Sequence, residues 1–81
     1  MSSEKKSPLV NIGFNNAVAK DKIVAVVSAN AAPAKRMKLV AQKENRLIDA
    51  TNGRRTNAVI VTASNHIILS SMQPQTISQR F

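Results

Sequence analysis

The apolar residues of this chain come in short bursts separated by polar and turn-forming residues, and the length and spacing of each burst predict its element. Leu9-Val10-Asn11-Ile12-Gly13-Phe14 predicts a first strand, with Pro8 fixing its start and Asn15-Asn16 forming a turn after it. Ile23-Val24-Ala25-Val26-Val27 is short and rich in β-branched residues, which predicts a strand rather than a helix. Its unbroken apolar run predicts burial on both faces. A loop over Ser28–Ala32 leads to Pro33, whose missing N–H is no loss in the first turn of a helix. That helix is expected from Pro33 to Glu44, with Ala34, Met37, Val40 and Ala41 as its buried stripe and Lys35, Lys38 and Lys43 pointing largely away. Asn45 suits the left-handed residue that ends it.

The second half predicts a short strand over Leu47–Ala50, a tight turn at Asn52-Gly53 and a partner strand over Ala58–Thr62. A further two-residue turn at Ser64-Asn65 and a strand over His66–Ser70 complete an expected three-strand meander. Pro74 then opens a last short helix, about residues 75–80. The predicted order is ββαβββα, an α+β domain with an antiparallel or mixed sheet packed on one main helix.

A chain of 81 residues makes one small domain, expected over residues 9–81 behind a polar extension, residues 1–8, that lacks the apolar stretch of a signal peptide. With 43% hydrophobic residues it can form a core, although a domain this size is marginal alone. The absence of cysteine removes disulfides and thiolate metal sites and suits a reducing cytoplasm, the expected location. No apolar run approaches the roughly 18 residues of a membrane span, so no membrane partner is expected. A small scaffold without staples is expected to gain stability by homo-oligomerisation.

Charge sharpens this picture. Twelve Lys and Arg face four Asp and Glu, giving a net charge of +8 and an isoelectric point near 11.1, which predicts a polyanionic partner. The most informative segment is Asn52-Gly53-Arg54-Arg55-Thr56-Asn57. Asn-Gly marks a tight turn, and two guanidinium forks held beside a rigid turn match phosphate oxygens in a bidentate way. Gly53 and its neighbours can also offer backbone N–H groups to an oxyanion. Phe14 and Phe81 are the only aromatic residues, which argues against stacking platforms for single-stranded bases.

Other chemistry finds little support. His66 is the sole histidine, at a strand start, and no Cys, His or carboxylate cluster suggests a metal site or cofactor. Asp49 precedes the arginine turn and is placed to hold Arg54 or Arg55 by a salt bridge, and it has no second carboxylate at a spacing suited to acid–base work. Ser70 and Ser71 lack the glycines of a nucleophile elbow, and two glycines in all cannot build a Gly-rich phosphate loop. No catalytic residue or small-molecule substrate is expected. Met37 and Met72 read as core filling. Lys22, and the helix residues Lys35, Arg36 and Lys38, read from charge alone as solvated surface, the latter three with a secondary reading as a second basic patch.

Five blocks, Asn11-Ile12-Gly13-Phe14, Ala32-Pro33-Ala34-Lys35-Arg36, Leu47-Ile48-Asp49-Ala50-Thr51, Gly53-Arg54-Arg55-Thr56 and Gln73-Pro74-Gln75-Thr76, occur in an order that resembles the RemA family of bacterial extracellular-matrix regulators. The resemblance implies a cytoplasmic, double-stranded DNA-binding activator of matrix and biofilm genes, with a fold similar to the LytTR type and a ring-like homo-oligomeric assembly. It implies that Arg54 and Arg55 of the Gly53-Arg54-Arg55-Thr56 loop contact DNA. It promotes Lys22, which stands where the family has an arginine, to a contact, and it implies that Pro33 matters for structure and assembly. The competing reading is an RNA-associated or protein-interaction scaffold with a basic surface.

Overall fold

The computed structural model describes residues 8–80. The extension expected over residues 1–8 therefore lies, but for Pro8, outside the described residues. The elements are β1 (Leu9–Gly13), β2 (Asn16–Ala19), a single 3₁₀ turn (Lys20–Lys22), β3 (Ile23–Ser28), α1 (Ala32–Lys43), β4 (Leu47–Asp49), β5 (Ala58–Thr62), β6 (Ile67–Ser70) and α2 (Pro74–Ser78). The domain is α+β, as the pattern predicts, with one strand more than the predicted order.

The four-stranded sheet runs β3-β5-β6-β4, and β1 and β2 form a separate antiparallel hairpin. β5 is antiparallel to both β3 and β6, whereas β4 lies parallel to β6. β3 and β4 are thus parallel strands at opposite edges, and parallel strands require a crossover, here α1. Helix α1 covers one face, where Ala34 and Ala41 pack with Val59, Ile67 and Leu69. The hairpin and α2 cover the other, where Val10, Ile12 and Ile77 pack with Ala58, Ile60 and Ile68. Alternate residues of β5 and β6 therefore enter two different cores.

This layering corrects several expectations. Burial on both faces belongs to the central strands β5 and β6. The sheet-edge strand β3 is covered less, and its Val24 is 66% exposed at a register shift between Ile23 and Ala25. The three-strand meander does not form. β5 and β6 do make a hairpin through Ser64-Asn65, but β4 pairs with β6 and not with β5. Both edges of β5 are taken by longer strands than the three-residue β4. The first turn sits at Phe14-Asn15, both at positive φ, and Asn16 opens β2. Val40 leaves the buried stripe of α1 at 43% exposure, while Ala34 and Ala41 are fully covered and Met37 is half-buried. Asn45 does end α1 in the left-handed region, at φ 58°, and α2 is shorter than predicted.

Candidate nucleic-acid interface

The segment joining β4 to β5 must pass the end of β6, and its route places the arginines. Ala50 N–H donates to the Leu69 carbonyl at 2.9 Å, so the segment leaves the sheet beside the end of β6. The Asp49 carboxylate then accepts hydrogen bonds from the Thr51 N–H at 2.9 Å and the Thr51 hydroxyl at 2.6 Å. Arg54 N–H closes a turn on the Thr51 carbonyl at 3.0 Å, with Asn52 at φ 55° and Gly53 at φ 79°. Two central residues at positive φ make the tight turn that Asn-Gly favours, although the strands it connects do not pair with each other. A Cβ added at Gly53 would meet nothing within 4 Å, so glycine is required there by its dihedral angle and not by space.

The far end of the segment is tied as firmly. Asn57 N–H donates to the Ser70 carbonyl at 2.9 Å and its side-chain amide to the Ser71 carbonyl at 2.8 Å, while its own carbonyl accepts from Ala29 N–H at 3.1 Å. Between these anchors Arg54 and Arg55 stand exposed and Thr56 is half-buried. Among the described residues neither arginine is in an ion pair; Asp49 does not hold them, and its Oδ1 accepts both Thr51 hydrogen bonds instead.

Those bonds leave an electrostatic signature. The Asp49 carboxyl is held below its ordinary value of 3.8, first by the Thr51 hydroxyl and then by the Thr51 N–H, against an opposing effect of burial, with the charge of Lys38 the least of the causes. A carboxyl with a lowered folded-state pKa stabilises the fold above its unfolded value and loses that contribution as pH falls through the folded value. Urea unfolding of the parent and of Asp49→Ala at pH 6 and at pH 2.5 is therefore expected to show a stability gap that narrows in acid. A gap unchanged by pH would show that the Asp49 charge does not hold the loop.

The β1–β2 turn lies beside this loop. Arg54 Cζ stands 5.4 Å from the centroid of the Phe14 ring, and a Cβ added at Gly13 would approach Met72 Cγ at 3.6 Å and Ser71 Oγ at 3.7 Å. Residues 13–16, 51–57 and 71–72 thus meet at one end of the domain. Phe14, which the sequence placed at the end of the first strand and in the first of the five blocks, was given no site role there; its signal was the asparagine-rich turn around an aromatic residue.

The other candidates are dispersed. Lys22 precedes Ile23, which pairs with Thr62, and its carbonyl accepts from Ala63 N–H at 2.8 Å. The arginines precede Ala58 at the opposite end of β5, so the strand, about 13 Å over four steps, separates them from Lys22 within one protomer. Lys35, Arg36 and Lys38 are exposed but do not form one patch. Arg36 lies about 100° around α1 from Lys35 and about 160° from Lys38, lining a groove with Pro33, Met37, Val40 and Arg46. His66 is held in place, with Nδ1 2.7 Å from Ser64 Oγ and its N–H donating to Thr62 Oγ1 at 3.0 Å. No cluster suited to a metal occurs among the described residues, and no described helix is long and apolar enough to cross a membrane.

Residues 9–81 match the family described as "RemA-like: Extracellular matrix regulatory protein A-like". A protein of Thermosipho melanesiensis is 58% identical over 73 residues, covering 90% of this chain and 78% of the relative. A Thermotoga maritima protein is 58% identical over 73 residues, covering 79% of its length, and a Kosmotoga olearia protein is 52% identical, covering 74%. Each of these relatives carries the name "Putative regulatory protein".

Proposed function

The chain belongs to the RemA-like family of extracellular matrix regulatory proteins, and from that membership we propose that it is a non-enzymatic regulator that grips duplex DNA through Arg54 and Arg55. The observation that carries this reading is the loop itself. Two exposed guanidinium groups project between hydrogen-bonded anchors, Thr51 on one side and Asn57 on the other, on a chain of net charge +8. Fixing the loop beforehand lowers the ordering cost that binding would otherwise incur.

Two arginines per protomer give weak, salt-sensitive contact. A ring-like homo-oligomer, the assembly proposed here, multiplies that contact by avidity when several copies engage one duplex. Lys22, at the opposite end of β5 from the arginines, would then add to the grip only where it meets the duplex from a different copy. The exposed apolar residues Leu9, Val24, Leu39, Val40 and Ile48 supply surface for assembly. Curving a duplex along such a ring costs about 1–6 kcal/mol for a site of 20–30 bp, repaid by the added contacts. Selectivity then comes from deformability and site spacing, and the regulatory outcome proposed is activation of extracellular-matrix genes.

Competition among duplex DNA, duplex RNA and single strands tests the partner: duplex DNA is expected to win, and a preference for RNA would favour the scaffold reading. Light scattering at micromolar concentration tests the assembly. A mass several times that of the 8.8 kDa chain is expected, and a monomer would overturn it.

A further inference from the structure

We infer that Phe14 is a positioning residue, whose ring holds the Arg54 guanidinium in the orientation in which that arginine meets an anionic oxygen. The inference rests on the duplex-DNA reading and adds a residue that charge does not reveal. Arg54 Cζ lies 5.4 Å from the ring centroid, inside the roughly 6 Å over which a cation is drawn to an aromatic face. Phe14 remains 42% exposed and belongs to neither core cluster, so burial does not account for its place.

The turn that presents it is built with care. Phe14 sits at φ 52°, a left-handed conformation unfavourable for a bulky side chain. Bracing offsets that strain: Gly13 N–H donates to Asn11 Oδ1 at 2.7 Å, and the Asn16 amide donates to the carbonyls of Gly13 at 3.1 Å and Phe14 at 3.3 Å. The turn rests on residues 71 and 72, and the arginine loop is tied through Asn57 to the Ser71 carbonyl. Ring and guanidinium therefore hang from one shared anchor.

A guanidinium drawn to a ring face can still offer N–H donors to a bidentate contact and loses less freedom on binding. Among the described residues Arg55 has no such ring beside it. Arg54 thus supplies a contact that depends on orientation, and Arg55 one that depends on charge.

The test has two arms. In the free protein, NMR is expected to show the Arg54 δ-methylene protons shifted upfield by the ring, lost in Phe14→Leu and kept in Phe14→Tyr, with circular dichroism unchanged. In fluorescence anisotropy with a duplex, Phe14→Leu is expected to weaken binding about two- to fivefold per engaged protomer, and Phe14→Tyr to restore it. The same loss should appear on an Arg55→Ala background and vanish on an Arg54→Ala background. An equal loss on both backgrounds, or no loss while Arg54→Ala still weakens binding measurably, overturns the positioning role and leaves the duplex-DNA reading intact. A normal upfield shift with Arg54→Ala binding like the parent overturns the duplex-DNA reading, and with it the purpose of the ring.

Discussion

Replacing Arg54 and Arg55 together by alanine is expected to weaken duplex DNA binding by at least about 100-fold at moderate salt while leaving the fold intact. Hydrogen bonds to charged groups contribute about 1.5–3 kcal/mol each, so two lost contacts amount to about 3–6 kcal/mol per engaged protomer. In an assembly the deficit recurs at every engaged copy. The fold should not register the change. Both side chains are exposed, and the loop ends are held by Asp49, Thr51 and Asn57 and not by either guanidinium. Mobility shift would measure the first effect and thermal melting the second, with the melting temperature expected to stay within about 2 °C of the parent. A double variant that binds like the parent would remove this site.

The second large effect concerns the other half of the site. Ser70 is fully buried on β6, where its hydroxyl donates to the Ile12 carbonyl at 2.7 Å and accepts from Met72 N–H at 3.1 Å. Ile12 is skipped at the register shift between Asn11 and Gly13, and its carbonyl turns from the hairpin partner to Ser70. One hydroxyl thereby pins the β1–β2 hairpin to the sheet. Ser70→Ala leaves the buried Ile12 carbonyl and the part-buried Met72 N–H without that partner, at about 1–3 kcal/mol for a buried group and less for a part-buried one, so a loss of about 2–4 kcal/mol is expected. For a domain of this size that lowers the melting temperature by roughly 8–32 °C. Measurements at matched protein concentration keep any assembly effect constant. A shift below about 2 °C would show that apolar packing alone seats the hairpin.

Much of the fold was legible in the sequence, for identifiable reasons. Pro33, the stripe of Ala34, Met37 and Ala41, and the left-handed Asn45 mark α1 through strong local preferences. The β5–β6 hairpin was legible because Ser64-Asn65 separates two apolar runs by two residues. Asn52-Gly53 misled, because its turn geometry is local while strand pairing is not. Flanked by Thr51 and Arg54 instead of alternating apolar residues, the turn closes without bringing β4 to β5. Strand β2 was hidden because Asn16-Ala17-Val18-Ala19 has little β-branched content and forms only by pairing with β1. The arginine pair was legible from charge and spacing. Its aromatic companion was not, since 40 residues separate Phe14 from Arg54 in sequence and only the shared anchor at residues 71–72 unites them.

The central claim is that the Arg54–Arg55 loop neutralises DNA phosphates. The most direct measurement is the slope of log binding constant against log salt concentration for the parent and for the double alanine variant on one duplex. Each phosphate contact contributes about −0.9 to that slope. A steep parent slope is expected, and a variant slope shallower by about two for every engaged protomer. Equal slopes for the two proteins would contradict it.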